Sequence, residues 1–223
     1  MLIKTEYSVP QSLLSSFSLD CFQTMKTSIN RPTGNFFYEG WTISDEFLGT
    51  HWEKILKTLP IEVGEARVIK LSPGETYMAH ADIDDRWHLN LSGEHSYLMD
   101  LDTKQMHLLN QDGNWYEMDT SKIHVASNFG STDRLQLVVR KLLSKTTDKD
   151  LVSIMIEPST KQHDYRYKFD NIISPYLNKA NKKLSIRDFK FNNEVVSFKL
   201  SRSELPNFKK IINNFFKVTY DIT

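Results

Sequence analysis

The sequence predicts a mainly β domain over residues 1–145 and a small α+β unit over 150–223. Three observations carry this. Between residues 64 and 143, short runs of alternating polarity are separated by turn residues, with no helical stretch between them. After residue 150 the rhythm becomes an alternation of strand-like and helix-like segments. The charge reverses as well. Residues 1–143 hold 13 Lys and Arg against 19 Asp and Glu, a net of −6, and residues 144–223 hold 15 against 9, a net of +6. The stretch SKTTDKD (144–150) is the expected linker.

Within the first sixty residues, Leu48, Trp52, Ile55, Leu56 and Leu59 recur at helical spacing and predict one amphipathic helix, which Pro60 ends. The runs EARVIKLS, RWHLNL, SYLMDLD, KQMHLL, NWYEMD, KIHVAS and RLQLVVRKL then predict strands, with turns at SPGE, SGEH, DTK, NQDGN and NFGSTD. Strands this closely spaced describe a β-sandwich or barrel, of which the jelly roll is one form. In the last section LVSIMIE predicts a strand. Tyr165, Phe169, Ile172, Ile173, Tyr176 and Leu177 follow helical spacing, with Pro175 bound to kink or restart that helix. LSIRDFKF and EVVSFKL flank a hairpin turn at Asn192-Asn193. Ser203 is placed to cap a helix carrying Leu205, Phe208, Ile211, Ile212, Phe215 and Phe216, and VTYDI closes as a strand. The order β-α-β-β-α-β predicts a ferredoxin-like unit.

Composition narrows the function classes. With 39% hydrophobic, 12% aromatic and 25% charged residues, the 223-residue chain has the makeup of a folded protein. Its zero formal net charge gives no general pull toward nucleic acid or membrane. Cys21 is the single cysteine, so no intrachain disulfide forms and a reducing compartment is expected. The start MLIKTEYSVPQSLL does not read as a signal peptide, and no window approaches the roughly 18 apolar residues of a membrane span. A cytoplasmic protein is expected. There is no P-loop, GxGxxG or GxSxG.

The chemistry-bearing residues concentrate in MAHADIDDRWHLNL (78–91) and in two later strands. In RWHLNL, alternation puts Trp87, Leu89 and Leu91 on one face and Arg86, His88 and Asn90 on the other. That polar face is either solvated or lines a wet interior, and the strand taken alone favours solvent. His80 and Asp82, at i and i+2 of an extended segment, face the same side and can bind one metal ion from one edge. His124, 42 residues after Asp82, is the candidate third ligand. Two histidines and one carboxylate on one face of an octahedron leave three positions open, the arrangement of non-haem Fe(II) oxygenases. Arg134, ten residues beyond His124, opens RLQLVVRKL and suits bidentate pairing with a carboxylate. Structural zinc is disfavoured, since it prefers cysteine and four closed ligands.

With these residues in order, the chain resembles the Fe(II)- and 2-oxoglutarate-dependent dioxygenases, and within them the aspartyl/asparaginyl β-hydroxylase branch, which includes free-proline cis-3-hydroxylase. ARVIKLSPGETYMAHAD is similar to the branch's strand, turn and first ligand pair, RWHLNL to its R-x-H-L strand, and IHVASNFGSTDR to the segment with the distal histidine, an asparagine and the arginine. The likeness covers residues 64–143. It does not extend to 150–223, and the gap between HxD and RxH is short for the branch. The resemblance implies a double-stranded β-helix, cupin-like, with His80, Asp82 and His124 as the iron ligands. It implies that Arg134 holds the distal carboxylate of 2-oxoglutarate, that Arg86 and His88 help place its metal-binding end, and that Asn128 supports. The implied reaction is O₂-dependent hydroxylation of an unactivated C–H bond in an amino acid or a peptide or protein residue, with release of succinate and CO₂.

Each residue also has a plainer reading. His80 and His124 can be hydrogen-bonded histidines of a sandwich, Asp82, Asp84 and Asp85 solvated turn charges, and Arg134 a surface partner of Asp133 or Glu117. Trp115 and Tyr116 reach a cavity mouth or simply pack. His51 reads as structural, His95 and His107 as exposed, and His163 has no assigned role. Two other functions compete. One is a cupin-like protein that binds a metal or small carboxylate without turnover. The other is an oxygenase directed to nucleic acid by the basic C-terminal unit. Against the latter, no RNP-type motif is present, and Phe189, Phe191 and Phe198 alternate as core residues do.

Overall fold

The computed structural model describes residues 2–15, 26–157, 165–192, 195–212 and 217–221. Cys21, His163, Asn193, Phe215 and Phe216 lie outside the described residues. The chain forms two compact units, residues 1–79 with 84–142, and residues 80–83 with 143–223. Among the described residues no helix is long and apolar enough to cross a membrane.

The first unit is mainly β. Its early elements are β1 (Leu2–Ser8), α1 (Gln11–Leu14), β2 (Lys26–Ser28), β3 (Asn30–Pro32), β4 (Trp41–Ile43) and α2 (His51–Leu56). Then come β5 (Ala66–Leu71), β6 (Arg86–Ser92), β7 (Ser96–Asp100), β8 (Gln105–Leu108), β9 (Asn114–Met118), β10 (His124–Asn128) and β11 (Arg134–Arg140). These last seven are the runs whose alternation predicts strands. Six strands form one antiparallel sheet in the order β1-β9-β6-β11-β5-β2, and three form a second in the order β10-β7-β8.

One face of the six-stranded sheet carries the larger core. Trp87, Leu89, Leu91, Trp115, Leu135, Leu137 and Val139 pack there with Trp52 and Ile55 of α2. The predicted helix is shorter than its spacing implies. Gly49 adopts a positive φ of 75°, and Thr50 Oγ1 accepts the Trp52 N–H, so the helix starts at His51 and leaves Leu48 62% exposed before it. The opposite face of the sheet carries Arg86, His88 and Asn90 of β6, level with Arg140, Val138 and Gln136 of β11. On the same face Tyr116 and Met118 pack with Leu98 of β7 and Ala126 of β10. The polar face of β6 is therefore interior rather than solvated, because the three-stranded sheet covers it.

The second unit runs β12 (Leu151–Glu157), α3 (Tyr165–Lys168), a π turn (Phe169–Ile173), α4 (Ser174–Lys182), β13 (Ile186–Asn192), β14 (Val195–Ser201), α5 (Leu205–Ile212) and β15 (Lys217–Asp221). Its strands form one sheet in the order β13-β14-β12-β15. Pro175 restarts the helix, as its missing N–H requires. Ser203 is not a cap but lies inside a short 3₁₀ turn, Arg202–Glu204, that leads into α5. Phe189 and Phe198 are buried, whereas Phe191 is exposed. A bulge between Arg187 and Lys190, with Asp188 at φ 56°, breaks the alternation of β13.

Candidate metal centre

His124 opens β10 opposite Asp100 of β7, while Ala126 faces Leu98 and Asn128 faces Ser96. All six side chains share the face that meets the large sheet. His124 is buried, and its Nδ1 lies 2.9 Å from the Lys122 carbonyl. That carbonyl can accept the Nδ1–H of the tautomer whose Nε2 is the ligating nitrogen, the usual way a backbone group fixes a metal-binding imidazole. His80 Nε2 lies 3.7 Å from Asp82 Oδ2. One ligand atom from each of His80, Asp82 and His124 falls within 4.8 Å of the others. Two imidazoles and one carboxylate at that spacing suit Fe(II) and related divalent ions.

Arg134 begins β11, where the sequence placed it, and is almost fully buried. Its surface pairing is excluded, since Asp133 pairs with Lys70 and Glu117 with Lys141. Nε donates to Ser96 Oγ at 2.5 Å, and Nη2 is buried with no hydrogen-bond partner among the described residues. Burial pushes the Arg134 guanidinium down to about 9. A buried guanidinium with an orphaned N–H fits an anion, the carboxylate of a small acid above all. Gly93 lets the chain approach this residue. It sits at φ 99°, and a Cβ there would stand 2.8 Å from Arg134 Cα.

His88 is buried on the same face. Its Nδ1 lies 3.4 Å from Gln136 Oε1, and Nε2 is buried without a partner among the described residues. Burial, then the positive charge of Arg134, push its pKa down to about 3, against an opposing hydrogen bond from Gln136. The ring is neutral at ordinary pH. Arg86 is engaged elsewhere. Its Nη1 donates to Asp84 Oδ1, while Arg140 Nε donates to Asp84 Oδ2 at 2.6 Å. Asp84 is thus a buried ion-pair centre, not a solvated turn charge. Asn128 supports the loop before β11, its Nδ2 donating to the carbonyls of Leu71 and Thr132.

Ser96 and Gln136 escape sequence reasoning. Gln136 has a visible signal, standing two residues after Arg134 and so on the same face of one strand. Ser96 has none, because its place depends on which strand crosses beside β11. Trp115 packs in the larger core and donates to Thr58 Oγ1 at 2.8 Å, away from the polar face. His95 is exposed as expected, whereas His107 is half-buried.

No family model matches the chain, nor does any curated protein sequence. Among the solved structures similar to it in part are two. One is a crystal structure of an oxidoreductase of the 2OG-Fe(II) oxygenase family from Burkholderia pseudomallei. It is 9% identical with a TM-score of 0.39, over 58% of this chain and 74% of that one. The other is CapF with the inhibitor 3-isopropenyl-tropolone, 14% identical with a TM-score of 0.32, over 59% of this chain and 35% of that one. Likenesses this distant leave the functional reading to the site's own chemistry.

Proposed function

We propose that the chain is an Fe(II)- and 2-oxoglutarate-dependent dioxygenase on a double-stranded β-helix, of the aspartyl/asparaginyl β-hydroxylase-like branch. It hydroxylates an unactivated C–H bond of an amino acid or of a residue in a peptide or protein. The observation that carries this is the pairing of a His80–Asp82–His124 group with a buried arginine whose Nη2 has no hydrogen-bond partner among the described residues. A metal centre alone is common. An orphaned guanidinium N–H behind a strand neighbour of the same interior is costly unless an anion completes it.

In this reading His80, Asp82 and His124 hold the iron, and Arg134 holds the distal carboxylate of 2-oxoglutarate. When bound, the pair supplies the oxidation of a C–H bond by O₂, with 2-oxoglutarate leaving as succinate and CO₂. The chain's own residues bind and orient. Ser96 fixes the guanidinium plane of Arg134 through Nε. His88 stays neutral, so it adds no second cation beside Arg134. Its Nε2 becomes a donor to a carboxylate if the Gln136 amide turns its NH₂ toward Nδ1. Lys122 keeps His124 in the ligating tautomer.

Anaerobic calorimetry tests this. 2-Oxoglutarate titrated into Fe(II)-loaded protein is expected to bind at one equivalent, and Arg134→Met is expected to abolish the heat. A variant that binds as tightly as the wild type would refute the assignment.

A further inference from the structure

The four-residue segment with the first two candidate ligands is tied to the helix of its own unit. Ala81 N–H donates to the Asp170 carbonyl at 3.0 Å. Asn178 Nδ2 donates to the Asp82 carbonyl at 3.2 Å, and Asn178 is almost fully buried.

The Asp170 carbonyl is available for a reason written in the sequence. In the π turn Phe169–Ile173, the Ser174 N–H reaches back to the Phe169 carbonyl. The next residue is Pro175, which has no N–H to offer. The Asp170 carbonyl is thereby left without its α or π donor, and the amide between His80 and Asp82 supplies one. Two turns further on, Asn178 takes the other end of the same peptide stretch.

We infer that this helix is a positioning element for the metal, with Pro175 and Asn178 pre-ordering His80 and Asp82 through the peptide between them. The inference rests on the metal reading above and gives the second unit a part in it. Neither residue touches the ion. Each removes freedom from the segment before metal binds, so less ordering is left for the ion to impose.

Co(II) is the probe, followed by its visible absorption in the anaerobic full-length protein, with amide exchange at Ala81 read in the metal-free state. Asn178→Ala and Pro175→Ala are each expected to weaken Co(II) binding by about 10- to 100-fold, the range for groups that orient metal ligands. Both should also quicken exchange at Ala81. Asn171→Ala, on the same helix but bonded to the Tyr167 carbonyl, is expected to change neither. Pro175→Ala keeps the test open if Asn178→Ala fails to fold, because alanine suits a helix. Wild-type uptake of Co(II) matched by both variants would overturn this inference alone. A wild-type protein that takes up no Co(II) would overturn it together with the metal reading.

Discussion

Arg134 donates its Nε–H to the Ser96 hydroxyl while its Nη2 lies buried with no acceptor among the described residues. A cation held this way opposes folding, since burial already disfavours its charged form. Arg134→Met is therefore expected to stabilise the ligand-free protein by about 1–3 kcal/mol. It should also remove any stabilisation by added 2-oxoglutarate. Urea unfolding with and without the acid checks both parts. A less stable variant would mean that Arg134 serves the fold.

Gly93 lies against the backbone and Cβ of Arg134. With φ at 99° and Arg134 Cα 2.8 Å from a built Cβ, Gly93→Ala is both strained and crowded. It is expected to cost more than about 1 kcal/mol and to weaken 2-oxoglutarate binding by moving Arg134. Thermal unfolding and calorimetry on the one variant separate the two effects. Unchanged binding would show that the guanidinium is indifferent to this approach.

Asp84 sits between Arg86 and Arg140, all three buried. Removing one partner of such a cluster leaves buried charge uncompensated, so Asp84→Ala is expected to cost about 3–5 kcal/mol. Its Thr120 contact uses the backbone carbonyl and survives. Denaturant unfolding gives the number. A loss near zero would mean that solvent reaches the guanidinium groups.

His88 makes stability depend on pH. In the folded protein it takes a proton only near pH 3, whereas in the unfolded chain it does so near 6.5. Between these values the unfolded chain binds more protons, so stability rises with pH and is lost as pH falls through that window. At pH 5 the loss from this group is about 2 kcal/mol. His88→Gln should flatten that part of the profile. Urea midpoints measured above and inside the window, for both proteins, decide it.

The strands from β5 to β11 were legible because alternation and turn chemistry agree along that stretch. What alternation cannot say is which side of a polar strand is wet. Arg86, His88 and Asn90 read as solvent-facing until β7 and β10 cover them. His80, Asp82, His124 and Arg134 are the residues that spacing and residue type single out, and the structure brings the first three together. Ser96 was not, since a serine acquires its role only from the strand that crosses beside it. Local backbone geometry hid the rest. Gly49 cuts Leu48 out of its helix, and the bulge at Asp188 turns Phe191 outward. Pro175 announced a broken helix, but not that a freed carbonyl would meet Ala81.

The central claim is tested most directly by an anaerobic spectroscopic titration of metal-free protein with Fe(II) and then 2-oxoglutarate, with Asp82→Ala as control. The account predicts a visible charge-transfer band of the chelated keto acid that saturates near one equivalent and is lost in the variant. Folded protein that holds iron and shows no band on adding 2-oxoglutarate would contradict it.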